Sequence, residues 1–317
     1  MESSTQQLAV NDGALTSKNS AFLRVSDLTL PMEELRARYE ADGYLFLKHL
    51  LPREKVLDVR KKYFEFLSPT GVLKEGTEPV EGIFNTTNSP DDFPGIGSGT
   101  TVRGEKAEEF LSRAVEAHYE DWYTEFCKNS VLYDFVSKFT GWGQNTLALN
   151  RTLLRNNVPN STPIGVHYDQ IFLRYGEPTS VTAWLPIGDI KLNGGGLIYL
   201  QNGEKLGKLI EERFTKMAED ACMTLDQARS AYNETMMKNG LLSSNPLQFA
   251  EQNDCRWLVA LYEAGDVILH KPHMIHASTV NHDPDNVIRL ATDVRFCDIS
   301  HPYDQRWTNF FRPGDGA

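Results

Sequence analysis

The stretch GVHYDQIFLR, residues 165–174, sets a histidine, an aromatic and an aspartate in a row, flanked by Val166 and by the apolar pair Ile171 and Phe172. Read as a half-buried β-strand, it sends successive side chains to opposite faces, so His167 and Asp169 share one face while Tyr168 looks out of the other. An imidazole and a carboxylate buried side by side need a common partner. Similar runs surround this one: NTLALNRTLLRN before it, SVTAWLPIGD and GGLIYLQN after it, then WLVALYE, GDVILH, MIHASTV and NVIRLATDVRF. All read as short strands with turns between them.

Helical patterns precede this set or interrupt it. In PMEELRARYEADGYLFLKHLLPREKVLDVRKKYFEFL, Leu35 and Tyr39 recur at helical spacing, Gly43 stops the helix, Tyr44 to Leu47 make a strand and Pro52 opens a second helix. Further helical stretches cover about 105–127 and 129–140, and a helical insertion spans about 205–239, with Thr224 and Gln227 in capping-box register and Gly240 as its stop. Because helix and strand do not alternate, the pattern favours an antiparallel β-sandwich or jelly roll, with helices packed against one sheet, over a parallel α/β sheet. Residues 1–20 are polar and read as a disordered tail, which leaves one domain over 21–317. Residues 69–104, rich in Gly, Pro, Thr and Asn, read as a long irregular loop, and loops of that length are usually functional or mobile.

Composition narrows the function. At 317 residues, 40% hydrophobic and 24% charged, the chain has the make-up of a soluble globular protein. A net charge of −11, from 32 basic against 43 acidic residues, argues against nucleic-acid binding, which needs clustered Lys and Arg. No apolar run is long enough to span a membrane, and no secretory leader is visible. Cys127, Cys222, Cys255 and Cys297 lie far apart without a CxxC pair, so they read as free thiols in a reducing, cytoplasmic setting. Phosphate-cradling glycine motifs are missing as well.

The partner that His167 and Asp169 need is a metal. Two imidazoles and one carboxylate hold non-heme iron(II) and leave adjacent positions open for substrate and oxygen. The third ligand comes from GDVILHKPHMIHAST, where His270, His273 and His276 compete and where a histidine-rich tract could itself bind zinc. Pro272 breaks the strand, so His270 ends one strand and His276 lies inside the next, sharing a face with Ser278. His276 is therefore the expected ligand, and His273, at the turn, reads as a solvated loop residue. Thirteen residues on, Arg289 reads as a guanidinium in an apolar strand, costly to bury unless paired with an anion. A small dicarboxylate would satisfy it, with its keto-acid end on the iron and the other end on Arg289, which makes a 2-oxoglutarate site. Arg295 has the same strand parity but lies about 20 Å further along at ~3.3 Å per residue, which places it at the barrel mouth.

Taken together, these residues resemble the phytanoyl-CoA dioxygenase family of iron(II)- and 2-oxoglutarate-dependent oxygenases. EADGYLFLKHLLPREKV is similar to that family's N-terminal strand-helix entry, GVHYDQ to its HxD, VTAWLPIGDI and NGGGLIYLQNG to its central strands, and GDVILHKPHMIHAST with VIRLATDVRF to its distal His and Arg. The resemblance implies a double-stranded β-helix, a jelly-roll or cupin-like core with helices buttressing one sheet. It further implies contacts from Trp184 and Ser278 to 2-oxoglutarate, although Trp184 also reads as a core aromatic. Leu200-Gln201-Asn202-Gly203-Glu204 departs from the family's PGSH segment. For the upstream polar contact to the co-substrate, Arg103 and Lys106 are the candidates.

The implied activity is oxidation of a small-molecule metabolite with O2, plausibly in secondary metabolism, by hydroxylation, desaturation or cyclisation. A coordinating Asp169 favours hydroxylation over halogenation. Specificity is expected from loop 69–104, from the helical insertion and from the tail SHPYDQRWTNFFRP, which reads as a lid, a strand cap or a homodimer contact. Two rival readings are a cupin-like metalloenzyme that does not use 2-oxoglutarate and a non-catalytic metabolite-binding member of the fold.

Overall fold

The computed structural model describes residues 8–96, 102–224, 227–228 and 241–313. Its helical entry follows the sequence closely: α1 (Met32–Asp42) ends on Gly43, whose φ of 77° is left-handed and whose N–H donates to the Tyr39 carbonyl. The strand Tyr44–Leu47 follows at once, and α2 (Arg53–Leu67) starts behind Pro52. Next come α3 (Glu105–Glu116), α4 (Asp121–Cys127) and α5 (Ser130–Thr140), the last capped by the Asn129 side chain. The helix expected over about 105–127 is thus broken at residues 117–120. The break has a cause: His118 is buried there, and its Nε2 accepts the Leu154 N–H at 2.9 Å, tying the helices to the sheet.

Among the described residues the strands, in chain order, number thirteen. They are β1 (Ala9–Val10), β2 (Gly13–Ala14), β3 (Ser20–Phe22), β4 (Val25–Ser26), β5 (Tyr44–Leu47), β6 (Thr146–Ala148) and β7 (Leu153–Asn157). The remainder are β8 (Val181–Pro186), β9 (Leu197–Leu200), β10 (Trp257–Val259), β11 (Val267–His270), β12 (His276–Ser278) and β13 (Arg289–Asp298). The larger sheet runs β4-β5-β11-β8-β13-β6, with β7 also on β13, and the smaller runs β12-β9-β10-β3. Pairing is antiparallel except for β3 with β10 and β4 with β5.

The period of two along the larger sheet decides what goes where. Leu45 and Leu47, Ala183 and Leu185, Val267 and Leu269, and Leu290, Val294 and Phe296 face the helices in one apolar core. Each such buried side chain contributes roughly 1.5–3 kcal/mol. Their neighbours Tyr44, Phe46, Trp184, Ile268 and Ala291 face inward and pack on Leu197 and Tyr199 of the smaller sheet. The fold is therefore mixed, with two facing sheets and a helical layer outside the larger one.

Two expectations change. Residues 8–20 are not a frayed tail: Val10 and Leu15 are buried in a further apolar cluster with Val166, Ile198 and Trp257, and the Val280 N–H donates to the Ala9 carbonyl. Short apolar side chains on either side of the Asn11-Asp12-Gly13 turn give this segment something to bury. Residues 1–7 of that expected tail lie outside the described residues. Segment 69–104 is likewise no free loop, because Phe84, Phe93 and Ile96 are buried in the helix-side core, with residues 97–101 again outside the described set. The insertion begins as α6 (Gly203–Asp220), and Thr224 and Gln227 exchange the expected capping-box bonds, whereas Gly240 lies outside the described residues.

Burial lowers the pKa of His118 from 6.5 to about 4, so the folded state holds it neutral. Its contribution is complete above the unfolded value and is lost as pH falls from 6.5 towards 4, a span that corresponds to about 3 kcal/mol. His118→Gln should flatten the loss of stability over that pH window relative to the parent protein, as measured by denaturant unfolding at successive pH values. An unchanged slope would show that His118 does not titrate with unfolding.

Candidate functional site

His167 and His276 are brought together by backbone. His167 N–H donates to the His276 carbonyl at 3.0 Å and His276 N–H to the His167 carbonyl at 2.9 Å, a single antiparallel bridge that sets the two rings 4.2 Å apart, centroid to centroid. The expected strand stops there. Gln170 N–H donates to the Pro272 carbonyl and the chain winds into a 3-10 turn over Asp169–Ile171. Tyr168 consequently does not look out to solvent: it is fully buried, and its hydroxyl donates to Glu211 on α6 at 2.7 Å.

Each imidazole uses Nδ1 on a carbonyl two residues back, His167 on Gly165 at 2.9 Å and His276 on Met274 at 2.8 Å. That bond fixes the tautomer with hydrogen on Nδ1, so each Nε2 keeps a lone pair for a metal. Burial drives the His167 pKa well below its ordinary value, helped by the adjacent His276 ring, and takes His276 down to about 4. Both rings are neutral, as ligands must be. Ligand atoms of His167, Asp169 and His276 all lie within 4.8 Å of one another, which suits two imidazoles and a carboxylate closing on one ion.

Asp169 is held more tightly than either histidine. Its Oδ2 accepts from Thr182 Oγ1 at 2.5 Å, from His270 Nε2 at 3.2 Å and from Arg295 Nε at 3.2 Å, whereas Oδ1 accepts only Arg295 Nη2 at 3.1 Å. Burial alone would raise the carboxyl pKa, but Arg295 and His270 outweigh it and hold the group well below the usual carboxylate range. Arg295 therefore does not stand apart at a barrel mouth. Distance along β13 does separate it from Arg289, yet the turn at Asp169 carries the carboxylate to that far end. Its guanidinium also lies 4.7 Å from the Trp307 ring, and Trp307 Nε1 donates to the Phe172 carbonyl. The tail thus folds back on its own chain beside the Asp169 turn. Gly176 packs so closely on Tyr303 and Asp304 that no side chain would fit there.

Of the other two histidines, His270 ends its strand as expected and His273 departs from expectation. His270 is buried, and its Nδ1 accepts the Tyr199 hydroxyl at 3.1 Å, leaving Nε2–H for Asp169. His273 is buried rather than solvated, its ring 5.6 Å from that of Tyr168. Helix α6 covers it, because Gly207 lets the helix approach the His273 backbone.

A small internal cavity continues from His167 and His276 and is lined by Arg155, Trp184, Ser278, Arg289, Ala291 and Asp293, among others. Arg289 is buried, donates through Nε to the Gly195 carbonyl at 3.0 Å and reaches Ser278 Oγ at 3.5 Å. Burial, and then the charge of Arg155, lower its pKa to about 10. Arg155 Nε is buried with no hydrogen-bond partner, and among the described residues neither guanidinium has a carboxylate within ion-pair distance. The carboxylate nearest to hand, Asp293, is taken by Arg295 at 3.5 Å. Arg103 and Lys106 do not reach this cavity: Arg103 is exposed, and Lys106 bonds Asn88 and approaches Asp92. Sequence reasoning missed Arg155, although its parity in RTLLRN, opposite Leu154, was the available signal.

A family model described as phytanoyl-CoA dioxygenase matches residues 39–290. Among solved structures, the epimerase SnoN in complex with Fe3+, alpha ketoglutarate and nogalamycin RO has a TM-score of 0.54 at 14% identity, over 90% of this chain and 91% of that one. The carbocyclase SnoK from nogalamycin biosynthesis has a TM-score of 0.50 at 16% identity, over 85% of each chain. At such identities the likeness is one of fold. No curated protein sequence matches the chain. Among the described residues no helix is long and apolar enough to cross a membrane.

Fe(II) binding, read anaerobically by competition with a chromophoric chelator, should be lost in Asp169→Ala and His276→Ala and kept in His273→Ala. Retention in His276→Ala together with loss in His273→Ala would move the third ligand to the turn. The match over most of its length shows that the chain belongs to the phytanoyl-CoA dioxygenase family, and its cofactors are those of that family: iron(II), with 2-oxoglutarate and O2 as co-substrates.

Proposed function

We propose that this enzyme oxidises a small-molecule metabolite of secondary metabolism, with iron(II) held by His167, Asp169 and His276 and 2-oxoglutarate held by Arg289, Ser278 and Trp184. One observation carries the reading: two buried guanidiniums, Arg289 and Arg155, open without a carboxylate partner into the cavity that begins at His167 and His276. A cation buried in that way demands an anion, and a dicarboxylate whose near end chelates the metal would supply one. Arg155 replaces Arg103 and Lys106 as the upstream contact.

When bound, iron with O2 supplies the oxidation, decarboxylating 2-oxoglutarate to succinate and carbon dioxide while the substrate loses two electrons. The chain's own residues do the rest. Gly165 and Met274 carbonyls orient the ligand imidazoles, Arg289 fixes the far carboxylate, Trp184 walls the cavity, and Trp307 with the Asp169 turn keeps water from the metal face. We read the facing sheets as a double-stranded β-helix and the whole as one domain with a helical insertion. Hydroxylation suits a coordinating Asp169, and the carbocyclase on the same fold supports ring closure as a further outcome.

The rival without 2-oxoglutarate needs His270 or His273 as a fourth ligand. His270 Nε2 instead donates to Asp169, and His273 packs on Tyr168. A reducing, cytoplasmic setting fits the four unpaired cysteines.

The test is the dependence on 2-oxoglutarate. Losing one partner of a buried charge-assisted pair costs about 2–5 kcal/mol, so Arg289→Ala should raise the 2-oxoglutarate constant at least about 30-fold. Arg289→Lys should fall between, since an ammonium keeps the charge without the fork. Arg155→Met should raise the same constant with Fe(II) affinity retained. Unchanged 2-oxoglutarate constants in Arg289→Ala and Arg155→Met would remove the co-substrate from this cavity.

A further inference from the structure

Three adjacent strands of the larger sheet present one inward row. Cα pairing sets His270 of β11 opposite Thr182 of β8, and Thr182 in turn opposite Arg295 of β13. All three side chains are buried, and all three donate to the same atom, Oδ2 of Asp169. Donors of three chemical kinds converging on one carboxylate oxygen are more than charge neutralisation requires, because the Arg295 fork alone would pair the carboxylate. Oδ1, by contrast, accepts the Arg295 Nη2 at 3.1 Å and lies 4.0 Å from His276 Nε2. The row is itself held from behind: the Tyr199 hydroxyl fixes the His270 tautomer, and the Trp307 ring covers the Arg295 guanidinium.

We propose that the row His270–Thr182–Arg295 confines Asp169 to a single-oxygen ligand through Oδ1, and that these are positioning residues for 2-oxoglutarate binding; this rests on the triad reading above. The reason is coordination number. A carboxylate with both oxygens free binds a metal through one or both. Bound through both, Asp169 would take a position that 2-oxoglutarate or oxygen needs, since a two-histidine, one-carboxylate site works only with its remaining positions open. Saturating Oδ2 with three donors removes that option before metal arrives. Register achieves it without strain, because each donor stands on a rigid strand at the same height in the sheet.

The proposal separates two quantities that a structural role would move together. Freeing Oδ2 gives the metal an extra oxygen contact, and removing Arg295 also takes away a cation beside it, so Fe(II) should bind as well as before or more tightly. 2-Oxoglutarate should then bind more weakly, having to displace that contact. Thr182→Val deletes one donor at constant volume, and Arg295→Met deletes the fork. Fe(II) alone would be titrated anaerobically against a chromophoric chelator, and 2-oxoglutarate would then be titrated into the Fe(II)-loaded protein by its visible charge-transfer band. Thermal unfolding confirms folded variants, and where Arg295→Met does not fold, Thr182→Val carries the test.

Removing an outer hydrogen-bond partner of a metal ligand typically costs about 10–100-fold in metal affinity or activity, so undiminished Fe(II) binding is the outcome that sets this row apart from a simple orienting role. We expect the 2-oxoglutarate constant to rise about tenfold in Arg295→Met and about threefold in Thr182→Val, with Fe(II) binding undiminished in both. Weaker Fe(II) binding with an unchanged 2-oxoglutarate constant would overturn the proposal, making the row a simple orienter of the metal, and so would no change in either quantity. Asp169→Ala distinguishes failure of the underlying reading: full Fe(II) affinity there would remove Asp169 from the metal, and the row's role with it.

Discussion

The alternation of β13 is the constraint on which the interior depends. One face of this strand carries Leu290, Val294 and Phe296 into the helix-side core; the other carries Arg289, Ala291, Asp293 and Arg295 into the space between the sheets. A slip of one residue would exchange the two sets, putting three charges against the helices and apolar side chains towards His167 and His276. That exchange is prohibitive in both directions, so register and site are specified by the same pattern. Extending β13 over ten residues, with β7 pairing its first half and β6 its end, then fixes Arg289 and Arg295 at opposite ends of one rigid rod.

The smaller sheet supplies the metal end by a different route. Its edge strand β12 is only three residues long, and the HxD segment meets it through one bridge before turning away. Such a short contact would be weak by itself. It is braced by the Gln170 bond to Pro272, by Tyr168 reaching Glu211, and by Trp307 and Arg306 both donating to the Phe172 carbonyl. Helix α6 and the C-terminal segment are thus part of what holds the Asp169 turn. This gives both segments a mechanical link to the metal end that their position in the chain does not suggest.

Local signals made the strand set and its helical entry legible. Gly43, Pro52, Asn129 and the Thr224–Gln227 box act through their own backbone or a neighbour a few residues away, and Pro272 separates His270 from the strand that carries His276. What could not be read depends on how distant segments cross. Asp169 lands beside Arg295 only because the chain leaves the strand after His167, and a 3-10 turn there has no signature in VHYDQ. His270 is the strand end it was read as, but its two partners, Tyr199 and Asp169, were hidden because they lie 71 and 101 residues away. Arg155 was hidden in a similar way, since a basic residue in an otherwise ordinary strand means nothing until the other wall of the cavity is known.

Charge accounting inside the sandwich ties these parts together. Arg155, Arg289 and Arg295 bring three positive charges and Asp169 and Asp293 two negative ones, so the interior stands one positive charge in excess before anything binds. A divalent metal alone would deepen that excess to three, in a region where burial already depresses the pKa of Arg155 and Arg289. The 2-oxoglutarate dianion returns it to one. Two unit charges about 4 Å apart interact by about 4 kcal/mol at an effective dielectric near 20, so imbalances of this size are not negligible in a cavity this small. Metal and co-substrate therefore each improve the electrostatic setting of the other, beyond any direct bond between them. By linkage the help is mutual and equal in free energy. The charges are divided unevenly: Arg295 is engaged with Asp169 and Asp293, while Arg155 and Arg289 have no carboxylate within ion-pair distance among the described residues, the arrangement that the proposed 2-oxoglutarate site would need.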